Sequence, residues 1–397
     1  MATVQPSYTA RVDQIDALRG FALMGLFIVH AVEYFELYWL NPPASDPIHN
    51  WVFGLFAGKA FAMFALMFGV SFFIIMDRAA RRGVDFTLRF FWRLIVLFII
   101  GFFHALFYAG DVLQVLALCG LVLVPLNRLS WKWLLPLAVM CLLEPILLIQ
   151  LVRASQDVTA NVQPLSWQYP SLQVFAHGSF AQLIANNVWA GPLTKWEWMW
   201  EFGRIVQIIG LFLTGLMLGR IGFFTESERF TAWRRLGFVV ALGVAVGLHF
   251  AKPWLATAVN GDAAHFMVGV SRDAIFDSYQ NFAAMTLWVL GFVELYQMKV
   301  FSSVLRLLAP VGRMTLTLYV MQAVLCIPLY YGCGLGWYAT IGQAKALIFG
   351  IAFFSAQVVF AHVWFRYFLY GPLEWVWRAA TYLTVKVPFI RRPASAG

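Results

Sequence analysis

The chain has 397 residues, of which 61% are hydrophobic and only 12% are charged, and its mean hydropathy is +0.75. This is more apolar surface than a water-soluble core can bury, which excludes an ordinary soluble globular protein. The formal net charge of +9 is compatible with nucleic acid or anionic lipid as a partner. The distribution of the basic residues along the chain distinguishes the two.

Apolar runs as long as a bilayer core, about 20 residues, recur along the whole sequence without a long polar domain between them. They predict an all-α, polytopic membrane helical bundle that forms a single integral-membrane domain over residues 1–397. The first run has no cleavable signal pattern and is interpreted as the first transmembrane helix. The ten predicted spans lie near residues 17–38, 52–76, 90–109, 112–127, 131–152, 200–219, 236–250, 280–298, 310–331 and 346–364.

The basic residues predict the orientation of these spans. With cytoplasmic N- and C-termini, 21 of the 28 Lys and Arg residues fall in cytoplasmic segments, as the positive-inside rule requires. Topology and anionic headgroups then explain the net charge, so we expect membrane lipids and not nucleic acid as partners. Two long extracytoplasmic segments are predicted near residues 153–199 and 251–279, the second as a solvated loop or as a lid that binds the acceptor.

Several sequence motifs of enzymes are absent. The four cysteines stand apart, and the sequence has no zinc-protease motif, nucleophile elbow or phosphate-binding loop. We therefore expect no metal, and neither a serine hydrolase nor an ATP-driven pump.

The first predicted helix, "IDALRGFALMGLFIVH", carries two cations whose presence in a span is costly. Arg19 and His30 are eleven residues apart, which places them on one face of a helix and about 16 Å apart along its axis. Asp16 lies three residues before Arg19, and Glu33 lies three residues after His30, so each cation has a carboxylate within helical contact range. Asp16 and Arg19 could simply mark the cytoplasmic boundary, but that explanation does not account for His30.

A second pair of polar residues flanks the predicted turn in "GFFHALFYAGDVLQVLALCG". His104 and Asp111 are seven residues apart, and Gly110 is predicted to break the helix between them. Asp111 is therefore interpreted either as a cap of this hairpin or as part of a catalytic site.

Four further polar residues lie in or near predicted spans. Arg313 and Gln322 lie on a helix entered from the cytoplasm, where the amide of Gln322 needs a hydrogen-bond partner or a ligand. Lys59 and Arg204 lie near the outer boundary, where we expect them to extend to the interface rather than bind an anion.

The first-helix segment resembles the signature of the YeiB-like family of bacterial inner-membrane proteins, known as domain of unknown function 418. The segments "KAFAMFALMFGVSFFIIMDRAARRG", "GFFHALFYAGDVLQVLALCGLVL", "VGRMTLTLYVMQAVL", "YGCGLG" and "GPLEWVWRAATY" resemble later blocks of that family in the same order. The resemblance implies a multi-pass protein of the bacterial inner (plasma) membrane.

This family is grouped with transmembrane acyltransferases, including the acyltransferase-3 proteins and the lysosomal heparan-glucosaminide acetyltransferase. The acyltransferase-3 first helix has an arginine, ten further residues and a histidine, which Arg19 and His30 match. YeiB-like proteins usually have asparagine at the positions of His30 and Leu318.

The resemblance and the residues together predict an acyltransferase that moves an acyl group from a cytoplasmic acyl-CoA to a hydroxyl or amine acceptor at the outer side. His30 is the predicted base or transient acyl carrier, and Glu33 orients it. Arg19 is predicted to hold a phosphate of the donor or to be fixed by Asp16. The other substrate-binding candidates are His104, Asp111, Arg313 and Gln322.

Two other functional classes fit the same sequence. A transporter or permease for lipids or small molecules could use the intramembrane charges for coupling, although no inverted repeat and no recurring pair of broken helices is visible. The third interpretation is a membrane sensor or assembly protein without catalysis, which the usual asparagine at position 30 of YeiB-like proteins allows.

Overall fold

The fold is described from a computed structural model, which describes residues 13–40, 46–168 and 171–391. Arg11 and Arg392, two of the basic residues used to predict topology, lie outside these ranges. The first helices are α1 Asp13–Val32, α2 Pro47–Phe56, α3 Lys59–Ala80, α4 Thr87–Ala105, α5 Leu113–Leu126, α6 Trp131–Leu142, α7 Pro145–Gln156, α8 Ser171–His177 and α9 Phe180–Val188. The others are α10 Ala190–Glu201, α11 Arg204–Arg220, α12 Thr231–Ala258, α13 Phe266–Gln297, α14 Lys299–Leu305, α15 Ala309–Arg313, α16 Thr315–Tyr330, α17 Gly342–Tyr367 and α18 Pro372–Tyr382.

These helices confirm the predicted all-α membrane bundle. Within the described residues, five helices are long and apolar enough to cross a membrane, and the number rises to eight if each bent helix pair is one span. The predicted spans 112–127 and 280–298 are not among these eight. The first corresponds to α5, which has only 14 residues, and the second falls on the longer and more polar α13.

Three of the predicted spans contain a sharp bend between two helices. The pair α6 and α7 bends by 42° within predicted span 131–152, and the segment Lys299–Arg313 meets α16 at 78° within predicted span 310–331. The pair α10 and α11 bends by 71° within predicted span 200–219. The hydropathy pattern did not predict these bends.

A buried polar network lies where two of these bends meet. Glu144, which has a positive φ of 57° before α7, is only 1% exposed, and its carboxylate accepts a hydrogen bond from Ser278. Ser278 accepts in turn from Gln207, whose amide oxygen accepts from Arg204 at 2.9 Å. Buried polar groups need such partners, and here they supply them to one another across α7, α11 and α13.

The expectation that Lys59 extends to the interface is wrong. Lys59 is the first residue of α3, is 7% exposed and donates from its ammonium to the carbonyl of Phe53 at 3.1 Å. Arg204 likewise turns to Gln207 and packs 5.7 Å from the ring of Trp198. Both cations therefore contact protein groups at helix breaks.

The two predicted extracytoplasmic segments contain more helix than expected. Residues 251–279 belong mostly to α12 and α13, with a connection of residues 259–265 between them. Arg272 in this segment donates to the carbonyls of Ala256 and Val259, and Lys252 pairs with Asp277 at 2.9 Å. The prediction of a long loop here is wrong, because these contacts join the ends of the two helices.

Glycines allow α3 and α11 to pack with their backbones in contact. A Cβ atom built on Gly215 would lie 2.1 Å from the carbonyl oxygen of Leu66, and one built on Gly69 would lie 2.1 Å from that of Phe212. Small residues at membrane helix interfaces permit this close approach, which compensates for the lack of a hydrophobic driving force between helices in lipid.

We predict that Gly215→Ala destabilises the protein by about 1–3 kcal/mol, because the added methyl group forces α3 and α11 apart. The measurement is thermal unfolding of the purified protein in detergent. Gly243→Ala is the matched control, since a Cβ at Gly243 of α12 meets nothing within 4 Å. Equal unfolding temperatures for the two variants would contradict the proposed packing role.

Candidate functional site

A tight turn ends α1 at the end of the bundle opposite to its first residue. Tyr34, Phe35 and Glu36 have positive φ values of 53°, 51° and 78°. Each such residue costs about 1–2 kcal/mol, so tertiary contacts must hold the turn. The Phe35 amide donates to the carbonyl of His30 at 2.8 Å, and the hydroxyl of Tyr331 donates to the carbonyl of Phe35 at 3.0 Å. The candidate span Asp13–Leu40 contains the predicted span 17–38, although the regular α-helix within it ends at Val32.

This turn places Glu33 against His30. Nδ1 of His30 lies 2.5 Å from Oε1 of Glu33, and the imidazole stacks on Phe35 with 5.7 Å between ring centroids. Because a carboxylate only accepts hydrogen bonds, this contact favours the tautomer with a proton on Nδ1, in which Nε2 has the lone pair. The side chain of His30 is 14% exposed and that of Glu33 is 12% exposed, so the pair is largely buried but not sealed.

A second histidine–carboxylate pair lies nearby but is sealed. Nδ1 of His104 is 2.8 Å from Oδ1 of Asp111, and both side chains are 1% exposed. Asp111 also accepts from the amides of Leu113 and Gln114 at 3.1 and 3.0 Å, which caps α5. Asp111 is therefore the cap of α5, which is one of its two predicted roles. The helix α4 ends at Ala105, before Gly110, as predicted.

Tyr108 joins the two pairs, and the sequence interpretation missed it. Its hydroxyl lies 3.2 Å from Nδ1 of His30 and donates to Glu36 at 3.4 Å, while its ring centroid is 6.2 Å from that of His104. A Cβ on Gly110 would lie 2.3 Å from the carboxylate of Glu36, so this approach requires glycine at position 110. Tyr108 lies between His104 and Asp111 in the sequence, and this position could have identified it as a candidate.

Two further residues of this region come from elements distant in sequence. Lys195 of α10 donates from its ammonium to the carbonyl of Asp111. The hydroxyl of Tyr319 accepts from the amide of Val112 at 3.2 Å, and its ring lies 4.9 Å from that of His104. Lys195 is a single lysine in the tryptophan-rich segment "TKWEWMW", and no sequence signal distinguished it from an interfacial residue.

His49 also lies at this end of the bundle. Its ring centroid lies 4.0 Å from that of Phe53 and 5.3 Å from that of Tyr38, and Nδ1 is buried without a hydrogen bond to another described residue. His49 is therefore surrounded by aromatic rings, whereas His30 and His104 each contact a carboxylate.

The other predicted site residues lie elsewhere. Arg19 and Asp16 form a 2.8 Å ion pair near the start of α1, and Arg19 also donates to Ser71 of α3. Arg313 packs its guanidinium 4.0 Å above the ring of Phe365. The structure therefore does not bring these cations to His30.

Gln322 occupies a third location. It is buried, and its amide nitrogen donates to the side-chain oxygen of Gln357 of α17 at 2.8 Å. Gln357 donates in turn to the carbonyl of Leu318 at 3.2 Å, so Gln322 takes part in the packing of α16 against α17. Within the described residues, no group of three or more His, Cys, Asp or Glu side chains could hold a metal ion.

We predict that Asp111→Ala destabilises the fold by about 1–3 kcal/mol, because it removes both the cap of α5 and the partner of buried His104. Asp85→Ala is the matched control, since Asp85 accepts from the amide of Thr87 at the start of α4 but is exposed. Thermal unfolding of both variants measures the difference. A smaller loss for Asp111→Ala than for Asp85→Ala would contradict the capping role.

Comparisons with known proteins relate both halves of the chain to membrane families. Residues 11–255 match the family model described as heparan-alpha-glucosaminide N-acetyltransferase, catalytic, and residues 218–384 match the one described as protein of unknown function DUF418. The first match includes His30, Glu33, His104, Asp111 and Lys195.

Similar proteins cover nearly the whole chain. The uncharacterized protein YxaH of Bacillus subtilis is 27% identical, over 97% of this chain and 98% of its own length. The uncharacterized protein YeiB of Escherichia coli is 29% identical, over 92% of this chain and 95% of its own length. The chain therefore belongs to the heparan-alpha-glucosaminide N-acetyltransferase catalytic family, which relates it to the transmembrane acyltransferase superfamily, and it is similar to YeiB and, over residues 218–384, to the DUF418 proteins.

Proposed function

We propose that this protein transfers an acyl group from a cytoplasmic acyl-CoA to a hydroxyl or amine acceptor at the outer side of the membrane. The observation that carries the proposal is the partly accessible contact between His30 and Glu33 at one end of the bundle. The match of residues 11–255 to an acetyltransferase catalytic family supports the reaction class.

His30 is the proposed general base. Glu33 holds Nδ1 as a donor, so that Nε2 can accept a proton from the acceptor. The acceptor oxygen or nitrogen then forms a bond to the thioester carbonyl carbon, and the bond from that carbon to sulfur breaks. The proton on Nε2 passes to the leaving thiolate, which regenerates neutral His30 and releases the CoA thiol.

His104 is a less suitable base in this arrangement. It has the same kind of carboxylate contact, but its side chain is 1% exposed and a substrate would have to open the hairpin to reach it. The ring of His104 packs against that of Tyr108, whose hydroxyl lies beside His30. In the proposed reaction this hydroxyl turns from Glu36 and donates to the developing oxyanion.

Arg19 is the proposed contact for a phosphate of the donor, at the other end of α1. It lies eleven residues before His30, about 16 Å along the helix axis. The pantetheine arm of the donor would have to span this distance. In this proposal the arm extends alongside α1 and brings the thioester to His30.

We predict that His30→Gln lowers the rate of acyl transfer by about 10²–10⁴-fold, because the reaction loses its base. The measurement is release of free CoA thiol from acyl-CoA by protein in lipid nanodiscs, with amine- and hydroxyl-bearing acceptors supplied. Glu33→Gln is expected to lower the rate by a smaller factor, since the neutral amide still contacts His30.

His249→Gln serves as the control, because His249 is exposed on α12 and has no part in the site. Unfolding temperature and elution volume confirm that each variant is folded. Transfer by His30→Gln at the wild-type rate would disprove the assignment, and loss of transfer in His49→Gln alone would move the base to His49.

A second candidate function, a transporter for lipids or small molecules, is favoured by the bent helix pairs around Glu144. Broken helices with buried charged groups are typical of transporter binding sites. In proteoliposomes without an acyl donor, a transporter would carry flux driven by a pH gradient, and Glu144→Gln would abolish it. Thiol release without any such flux would favour the enzyme.

A further inference from the structure

Three arginines surround the aromatic rings of α18 at the end of the bundle where α1 begins. The guanidinium of Arg93 lies 3.5 Å above the ring of Trp377. Those of Arg89 and Arg378 lie 5.2 and 5.6 Å from the ring centroid of Tyr382. Arg89, Arg93 and Arg378 are called the arginine cluster below.

Hydrogen bonds from two tryptophans fix the helices that carry the cluster. The indole nitrogen of Trp377 donates to the carbonyl of Arg93 at 2.8 Å, and that of Trp92 donates to the carbonyl of Ala380 at 2.9 Å. Because α18 is thus held on α4 from both sides, the three guanidinium groups are arranged before any ligand binds. A preorganised site loses less conformational entropy on binding.

The cluster has no carboxylate partner. Among the residues that the structure describes, no Asp or Glu oxygen lies within 4.0 Å of a nitrogen of Arg89, Arg93 or Arg378. Glu374 of α18 accepts hydrogen bonds from the amides of Leu316 and Thr317 and from the hydroxyl of Thr317, so it caps α16 instead. The charges of Arg378 and Arg19 repel Arg93, while Tyr382 and the more distant charge of Glu374 act in the opposite direction.

We propose that the arginine cluster binds a phosphate group. Arginine is suited to this ligand because its planar guanidinium donates two parallel hydrogen bonds to phosphate oxygens and stacks on aromatic rings at the same time.

Two sources can supply the phosphate. The exposed apolar side chains Leu88, Phe91 and Trp92 surround Arg89 on α4, which places the cluster beside the lipid at headgroup level. A cavity of about 520 Å³ is lined in part by Phe86, Arg128 and Arg220, and the ring of Phe86 also lies 5.9 Å from the guanidinium of Arg89. The ligand is therefore an anionic lipid headgroup or a soluble phosphate compound such as CoA; the CoA source rests on the proposed function, and the lipid source does not.

The test compares phosphate probes on protein in nanodiscs. For the lipid source, nanodiscs contain phosphatidylglycerol or only phosphatidylcholine, and native mass spectrometry counts the lipids that remain bound after transfer to detergent. For the soluble source, CoA and pyrophosphate are titrated in phosphatidylcholine nanodiscs, and the shift in unfolding temperature gives the affinity.

We expect the double variant Arg93→Gln with Arg378→Gln to lose about 30-fold in affinity for whichever probe binds, since each basic residue contributes about a factor of five at an anionic surface. Arg82→Gln is the matched control: it removes one charge from the exposed α3–α4 turn and should bind as wild type does. Arg93→Lys keeps the charge and should retain part of the affinity.

Wild-type affinity of the double variant for both phosphatidylglycerol and CoA would overturn the proposal, as would a loss in Arg82→Gln of the same size. If the double variant does not fold, the exposed Arg89→Gln alone should lose about five-fold, and no loss there would count against the site. His30→Gln leaves the cluster intact and should bind either probe normally, so failure of the catalytic assignment and failure of the phosphate site give different results.

Discussion

The hydrocarbon layer offers no hydrogen-bond partner to a polar side chain, and this constraint governs where the polar residues of the bundle lie. Each break in a helix frees backbone carbonyls and amides that need partners within the protein. At the breaks beside Lys59, Glu144 and Arg204, the carbonyls of Phe53, Leu143 and Glu201 accept hydrogen bonds from polar side chains of other helices. Charged residues and interrupted helices therefore occur together, because each supplies hydrogen-bond partners to the other.

The two histidine pairs have similar contacts but differ in whether a substrate can reach the imidazole. Each imidazole has a carboxylate at Nδ1, which fixes the ring and its tautomer. Asp111 is fully engaged by backbone amides and lies beneath the hairpin, so its pair stabilises the fold. Glu33 follows a helix end, where the exposed edge of His30 remains open to a reacting group. Access, and not the identity of the partners, distinguishes a catalytic candidate from a structural pair.

The two ends of α1 have different electrostatic surroundings. Near His30 lie the carboxylates Glu33 and Glu36, with a single ammonium from Lys195 close by. The guanidinium of Arg19 acts on that of Arg93, a member of the arginine cluster. An anionic donor and a proton-bearing acceptor would each meet favourable charge at opposite ends of one helix, which is the charge distribution that transfer across a membrane requires.

The sequence by itself determined the all-α membrane class, because hydropathy over about 20 residues depends only on composition. It also determined the contact of His30 with Glu33 and that of Arg19 with Asp16, since residues three apart on a helix are neighbours whatever the rest of the chain does. The turn at Tyr34–Glu36, the approach of Tyr108 and Lys195 and the bends at Glu144 and Gly203 were decided only by the tertiary structure. These features depend on contacts between segments up to about 300 residues apart, such as that of Tyr331 with Phe35, and no local pattern in the chain encodes them.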